Sequence, residues 1–217
     1  MQVEDKEVIL LKVSGQDKLG VTAGLSSILA TYDATILDIG QADIHDTLSL
    51  GILFEIKVGC TSGPVLKDLL FKAYELGVKV KFIPISIEDY EIWVKGQRKQ
   101  RYIINVLGET LTAVQLAAVT RILSNQNLNI DSIKRLTGRV SIIEKEEFPR
   151  SCIQLSVTGT IVDKTLMTAS FMEISRTLDV DISFQEDNMY RRNRRLVCFD
   201  MDSTLIETEV IDELAIR

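Results

Sequence analysis

Apolar and polar residues alternate in several short stretches of the chain, and such alternation predicts half-buried strands. The first stretch covers residues 7–14, is rich in Val, Ile and Leu, and ends at Gly15. Between the strands, apolar residues recur at helical spacing, as they do at Leu25, Ile28 and Leu29. The pattern up to residue 87 predicts strands at 7–14, 34–42, 48–58 and 79–87, and helices at 22–32 and 64–76.

The same order of elements is repeated once further along the chain. Short matches mark the two copies, and residues 10–15 correspond to residues 103–108. The second copy has predicted strands at 101–107, 128–136, 152–158 and 180–184, and predicted helices at 112–126 and 163–178. Thr112 and Gln115 stand three residues apart at the start of a helix, which is the spacing of a capping box.

The order β-α-β-β-α-β is the split β-α-β, or ferredoxin-like, pattern, and it predicts an α+β fold. Each copy then forms one antiparallel sheet with both helices on one face. We assign the two domains to residues 1–87 and 100–186, joined by a polar linker at 88–99. A basic linker at 187–195 leads to a third segment, residues 196–217.

The third segment has a different pattern from the two copies. Residues 196–199 form a continuous apolar run, which is typical of a strand buried on both faces. The run leads into Asp200-Met201-Asp202-Ser203-Thr204, and an amphipathic stretch follows at 210–215. This pattern predicts the first strand and the helix start of a parallel α/β, Rossmann-like domain, in which ligands bind at the carboxyl ends of the strands.

Aspartates at positions i and i+2 suit phosphoryl transfer. One carboxylate can attack phosphorus and form an aspartyl-phosphate, while the other moves protons. Mg²⁺ prefers oxygen ligands of this kind and shares them with substrate phosphate. It also offsets the repulsion between an anionic nucleophile and an anionic substrate. Asp200 and Asp202 are therefore candidate catalytic residues and candidate metal ligands.

Composition narrows the classes of function. The 217 residues are 46% hydrophobic and 26% charged, as in a soluble globular protein, and the net charge of −6 argues against a nucleic-acid partner. Residues 1–7 lack the apolar core of a signal peptide, and no apolar run approaches the roughly 18 residues of a membrane span.

Cys60, Cys152 and Cys198 are widely spaced, which predicts reduced thiols in a cytoplasmic protein. A single histidine, His45, excludes a His-rich metal site.

The two copies resemble ACT domains, the small amino-acid-sensing modules of biosynthetic enzymes. The first copy carries Gly15-Gln16-Asp17-Lys18-Leu19-Gly20 between its first strand and first helix, where ACT domains usually have a G-x-D-x-x-G-type loop. Glycine lets backbone amides approach a ligand closely. The N-terminus of a helix also favours a carboxylate.

The second copy departs from that loop but keeps another feature of ACT domains. It holds Asn129 at a position where ACT domains often place a ligand-contacting asparagine. The resemblance thus implies Gly15, Asp17, Gly20 and Asn129 as effector-binding residues, with ligands bound where two copies face each other. The alternative interpretation is that the loops are only turns and the domains hold the protein together.

The segment from Phe199 to Leu205 resembles the first motif of the haloacid dehalogenase superfamily, and with Glu209 it resembles the phosphoserine phosphatases of that superfamily. The resemblance implies that Asp200 is the nucleophile and a Mg²⁺ ligand. Asp202 would exchange protons, and its backbone carbonyl would also bind the metal. Glu209 would pair with the ammonium group of O-phospho-L-serine. The implied reaction yields L-serine and phosphate in serine biosynthesis, with one Mg²⁺ per complete active site.

Further expectations follow from the same resemblance. The later residues that such an enzyme needs do not follow Arg217, so we expect neither phosphatase activity nor firm Mg²⁺ binding from these residues alone. We expect the strand at 196–199 to pack on an ACT sheet, the linker or another chain, because unpaired strands recruit other edges. The expected partners are L-serine or another amino-acid effector and a second copy in a homodimer. The alternative is an amino-acid-sensing or dimerisation module without catalysis.

Overall fold

The computed structural model describes residues 6–57, 62–96, 99–139 and 150–192, together with positions 141, 143, 198, 200–201, 205–206 and 210–211. The chain separates into two compact units, residues 1–98 and 99–217. Within the described residues, each unit contains a four-stranded antiparallel sheet.

The first unit has the strand order β2-β3-β1-β4. Its elements are β1 Glu7–Gln16, α1 Val21–Thr31, β2 Thr35–Ile44, β3 Thr47–Ile56, α2 Ser62–Leu76 and β4 Lys79–Ile85. Ile9, Leu11 and Val13 alternate along β1 and point into the core. Leu25 of α1 and Leu69 of α2 are fully buried in the same cluster, so both helices cover one face of the sheet.

The second unit repeats this architecture with the strand order β6-β7-β5-β8. The unit's elements up to β8 are β5 Arg101–Gly108, α4 Ala113–Asn125, β6 Leu128–Arg135, β7 Ser151–Gly159, α5 Lys164–Leu178 and β8 Asp181–Glu186. Ile104, Val119 and Leu155 are fully buried at its centre. The structure therefore confirms the predicted pair of ferredoxin-like folds.

The polar segment predicted as a linker contains a helix, α3 Ile87–Gly96. Ser86 caps this helix, because its Oγ accepts a hydrogen bond from the Asp89 N–H at 3.0 Å and donates one to Asp89 Oδ2 at 2.6 Å. Glu88 and Asp89 in the first turn complement the helix dipole. The prediction of a strand as far as residue 87 was therefore wrong at its end, since Ser86 starts the helix.

The part of the chain after β8 is described only at some positions. The predicted basic linker at 187–195 includes a short helix, α6 Met189–Arg192. Of the predicted strand at 196–199 only Cys198 is described, and it is exposed, so the packing of that strand lies outside the described residues. Cys152 and Cys198 are free thiols, and Cys60 lies outside the described residues. No helix in the described part of the chain is long and apolar enough to span a membrane.

The two helices of the first unit approach closely at Gly24. A Cβ added there would lie 3.2 Å from Lys72 Cε, so glycine permits the contact between α1 and α2. At the other end of α1, the Tyr32 hydroxyl donates a hydrogen bond to Asp68 Oδ2 at 2.5 Å. This hydrogen bond raises the pKa of Tyr32 above its ordinary value.

Two buried glutamines join the helices of the second unit, and we call them the glutamine clamp. Gln115 Nε2 donates to the Leu178 carbonyl at 2.9 Å, at the end of α5, and Gln115 Oε1 accepts from the Thr112 N–H at 2.8 Å. Gln126 Oε1 accepts from the Asp163 N–H at 2.7 Å, at the start of α5. Both glutamines are less than one-tenth exposed, at 7% and 5%. The clamp therefore holds α4 to both ends of α5.

We predict that Gln115→Ala lowers the free energy of unfolding of the second unit by about 1–3 kcal/mol, because it removes the hydrogen bonds to the Thr112 N–H and the Leu178 carbonyl. Arg121→Ala, an exposed position on the same helix, is the matched control and should change it by less than about 0.5 kcal/mol. Urea denaturation followed through amide resonances of residues 113–125 measures both. Equal midpoints for the two variants would contradict the role of the clamp.

Candidate functional site

Residues Gly15 to Gly20 cover the end of β1 and the turn that joins it to α1, and we call them the effector loop. Residues 16–20 are all exposed. The Asp17 N–H donates to the Asp46 carbonyl at 2.7 Å, which ties the loop to the turn between β2 and β3. Among the described residues, no hydrogen bond or ion pair engages the Asp17 carboxylate. The loop therefore offers an exposed carboxylate on an anchored backbone.

Gly20 begins α1 in the left-handed conformation, with φ 90° and ψ −1°. A side chain there would be strained, and the N-terminus of α1 has no side-chain cap. The corresponding helix in the second unit, α4, is closed by the predicted capping box of Thr112 and Gln115. The N–H groups at the start of α1 can therefore receive an anionic group such as a carboxylate.

Packing accounts for the glycine at position 15 without a ligand. A Cβ on Gly15 would lie 3.0 Å from Val78 Cγ1. Gly108 holds the same place in the second unit, where an added Cβ would lie 3.3 Å from Val180 Cγ1. Both glycines let the end of a central strand pack against the start of its neighbour. A direct contact between Gly15 and an effector stays a prediction.

Asn129 lies in β6, the edge strand of the second unit, and it is exposed. Its Nδ2 donates to Asp131 Oδ1 at 3.2 Å, and the Thr158 hydroxyl donates to the same oxygen at 3.0 Å. The other three candidate effector residues lie at the end of β1 (Gly15) and in the turn that follows it (Asp17 and Gly20) in the first unit. The structure thus brings three of the four together and places the fourth in the other unit.

Sequence reasoning missed two polar residues beside the effector loop. Thr22 Oγ1, in the first turn of α1, donates to Gln41 Oε1 of β2 at 2.9 Å. Thr22 could have been found from its position two residues after Gly20. Gln41 could not, because only the folded sheet brings β2 alongside the start of α1.

The candidate catalytic segment is described in part. Asp200 is exposed, and the Leu205 N–H donates to the Met201 carbonyl at 3.0 Å. Asp202 and Glu209 lie outside the described residues. The Asp200 carboxylate is a hard oxygen donor of the kind that Mg²⁺ prefers, so its chemistry fits that ion. In the described part of the chain, no three His, Cys, Asp or Glu side chains cluster closely enough to hold a metal.

Comparison with known families identifies the two units. Models of the ACT domain match residues 7–83 and residues 101–185. The chain therefore belongs to the ACT-domain family and carries two copies of the domain in tandem. An unknown protein from Galdieria sulphuraria has the same fold, with a TM-score of 0.67 and 16% identity over 85% of this chain and 100% of that one.

Longer relatives extend the comparison beyond the two domains. A phosphoserine phosphatase of Streptomyces coelicolor is 31% identical over 214 residues, which are 99% of this chain and 48% of that protein. Phosphoserine phosphatase SerB2 of Mycobacterium tuberculosis is 28% identical over 212 residues, which are 98% of this chain and 49% of that protein. The chain spans about half the length of the curated relatives it matches.

We predict that Gly20→Ala destabilises the first unit by about 1–2 kcal/mol, because alanine is strained in the left-handed conformation that starts α1. Gly40→Ala is the matched control, since Gly40 has open space around it and no positive φ. Urea denaturation followed through amide resonances of β1 and β3, whose apolar residues form the core of the first unit, measures both variants. A Gly20 variant as stable as the Gly40 variant would show that the loop geometry is not strained.

Proposed function

We propose that this chain is the N-terminal regulatory part of a Mg²⁺-dependent phosphoserine phosphatase, an enzyme that hydrolyses O-phospho-L-serine to L-serine and phosphate. The observation that carries the proposal is the similarity to two phosphoserine phosphatases along 98% and 99% of the chain. The tandem ACT domains and the Asp200-Met201-Asp202-Ser203-Thr204 segment agree with it.

In the proposed reaction, an Asp200 carboxylate oxygen attacks phosphorus and the bond to the serine oxygen breaks, which leaves an aspartyl-phosphate. Asp202 gives its proton to the departing serine oxygen. It then takes a proton from the water that cleaves the aspartyl-phosphate and releases phosphate. Glu209 pairs with the substrate ammonium group. When Mg²⁺ is bound by the Asp200 carboxylate and the Asp202 backbone carbonyl, it supplies charge that offsets the repulsion among these anions.

The relatives are about twice as long as this chain, and we place the remaining substrate and metal groups outside the 217 residues. The 217-residue chain should therefore release no phosphate from O-phospho-L-serine above the level of its Asp200→Asn variant. A polypeptide as long as these relatives, with this chain as its N-terminal half, should be active, and Asp200→Asn should lower its kcat by at least about a thousandfold because the nucleophile is lost. A coupled assay of phosphate release measures the activity of each of these proteins. Turnover of O-phospho-L-serine by the 217-residue chain would contradict the proposal that the remaining active-site groups lie outside it.

The ACT pair acts in this proposal as an amino-acid sensor, and L-serine is the effector that end-product control would use. The uncapped start of α1 would receive the serine carboxylate. Asp17 carries the only carboxylate of the effector loop and would pair with the serine ammonium group. The second unit lacks this arrangement, because Thr112 already caps α4. A sensing module without catalysis is the second candidate function, and the same uncapped helix supports it.

We predict that L-serine binds the 217-residue chain and that Asp17→Asn weakens binding by about tenfold or more, because it removes a charge-assisted hydrogen bond. Asp181→Asn, an exposed aspartate of the second unit, is the matched control and should bind as the original chain does. Isothermal titration calorimetry measures the affinities. If serine and other amino acids bind neither protein, the ACT pair is a structural or dimerisation module.

We also infer that the chain forms a homodimer. The edge strand β2 carries exposed apolar side chains at Ile36, Ile39 and Ile44, which are 45%, 51% and 78% exposed. The outer edge of such a strand is a template for another strand. This edge is the surface that supports the inference.

A further inference from the structure

Three lysines cluster on the outer face of the first sheet, the face opposite its helices. Lys12 of β1 lies directly across from Lys81 of β4, and Lys79 lies across from Ser14 in the same strand pair. All three lysines are exposed. Like charges directly opposite one another on neighbouring strands destabilise a sheet. Stability of the fold therefore gives no reason for this arrangement.

The charge of the three lysines is not offset within the described structure. Among the described residues, no hydrogen bond or ion pair joins them to a carboxylate. Glu55, an acidic residue of the same face, pairs instead with Lys6 at 2.9 Å. Ser14 and Ser49 lie opposite each other on this face and add two hydroxyl donors. We call Lys12, Lys79, Lys81, Ser14 and Ser49 together the lysine face.

The lysine face surrounds a depression of about 490 Å³, which is within the usual size range of small-molecule sites. Gly51 of β3 lies across from Lys12 and, on its other side, across from Gly40 of β2. A Cβ on Gly51 would approach no atom closer than 4.0 Å, and one on Gly40 would meet nothing within 4 Å. Neither glycine has a positive φ. Packing and backbone conformation therefore do not require these glycines, whereas the absence of a side chain at Gly51, which lines the depression, keeps its floor open.

The second unit shows that the same fold can close this face. Asn105, the counterpart of Lys12 in the repeat, has Ser183 and Gln154 as its cross-strand neighbours. Asn105 Nδ2 donates to Ser183 Oγ at 3.0 Å, and Gln154 Nε2 donates to Asn105 Oδ1 at 3.2 Å. The first unit has a lysine and a glycine at those two neighbouring positions. One copy is thus internally hydrogen-bonded here and has the exposed Asp181 where the other has Lys79, whereas the other copy is cationic and open.

We propose that the lysine face binds a phosphate-bearing small molecule. Lysine binds phosphate as a point charge, and three ammonium groups with two hydroxyls match a compact anion of more than one charge. The depression favours a small ligand over an extended acidic surface. This site is separate from the effector loop, and it does not depend on the proposed phosphatase activity.

The test is an NMR titration of the ¹⁵N-labelled chain at constant ionic strength, with inorganic phosphate in one arm and glycerol 3-phosphate in the other. At least one of the two should cause saturable shifts confined to β1, β3 and β4. Tighter binding of glycerol 3-phosphate would identify the ligand as a phosphate ester, and tighter binding of inorganic phosphate would identify it as the free anion. Shifts that do not saturate, or that sodium chloride reproduces, would overturn the proposal.

Two variants make the test specific to the lysine face. Lys12→Gln combined with Lys81→Gln should weaken binding by at least about tenfold, because charged hydrogen bonds are lost. The control removes the same charge at two exposed lysines elsewhere, by Lys95→Gln combined with Lys134→Gln, and should leave binding unchanged.

Gly51→Gln places in the first unit the glutamine that the second unit has at the corresponding position, Gln154. This side chain would fill the floor of the depression, so the variant should abolish binding while the core resonances stay in place. Equal affinities for all variants would overturn the proposal. Saturation by an acidic peptide but by neither phosphate probe would also overturn it, in favour of a protein partner.

Discussion

Burial of one face of each four-stranded sheet beneath two helices is the constraint on which the rest of this structure depends. In β3 the buried residues Leu50, Ile52 and Phe54 alternate with residues that face away from the helices, such as Ser49 and Gly51. Since the strands have a period of two, only half of the positions are committed to the core. The outer face, the loops and the edge strands can then change without loss of the fold.

The two copies use this freedom in opposite ways. Where α4 satisfies its own N-terminus through Thr112 and Gln115, α1 begins at Gly20 and has no side-chain cap. Where hydrogen bonds of Asn105 join the strands on the second outer face, the first has Lys12, Lys79 and Lys81, which have no ion pair in the part of the chain that the structure describes. At these positions the second copy therefore joins its polar groups by internal hydrogen bonds, whereas the first copy does not. Each difference falls outside the shared core, which explains how one fold supports both.

The sequence predicted the features that depend on near neighbours. Strand alternation and the Thr112–Gln115 capping box were both visible, because each involves residues a few positions apart. Helix α3 was missed because none of its residues is buried in a core, although Ser86 and Asp89 have the spacing of a cap. The lysine face could not be predicted, because the pairing of β1 with β4 joins residues far apart in the chain. Asp200 was predicted from a local motif, but the motif alone does not give its geometry.

The glutamine clamp has a mechanical consequence for the second copy. Packed helices can shift by sliding along one another. In the second copy, such a shear must break buried hydrogen bonds at both ends of α5. In the first copy, α1 and α2 meet at Gly24, and the Tyr32–Asp68 hydrogen bond joins them near one end. Helix sliding in the first copy therefore breaks a described hydrogen bond near one end of the helix pair, whereas in the second copy it breaks hydrogen bonds at both ends.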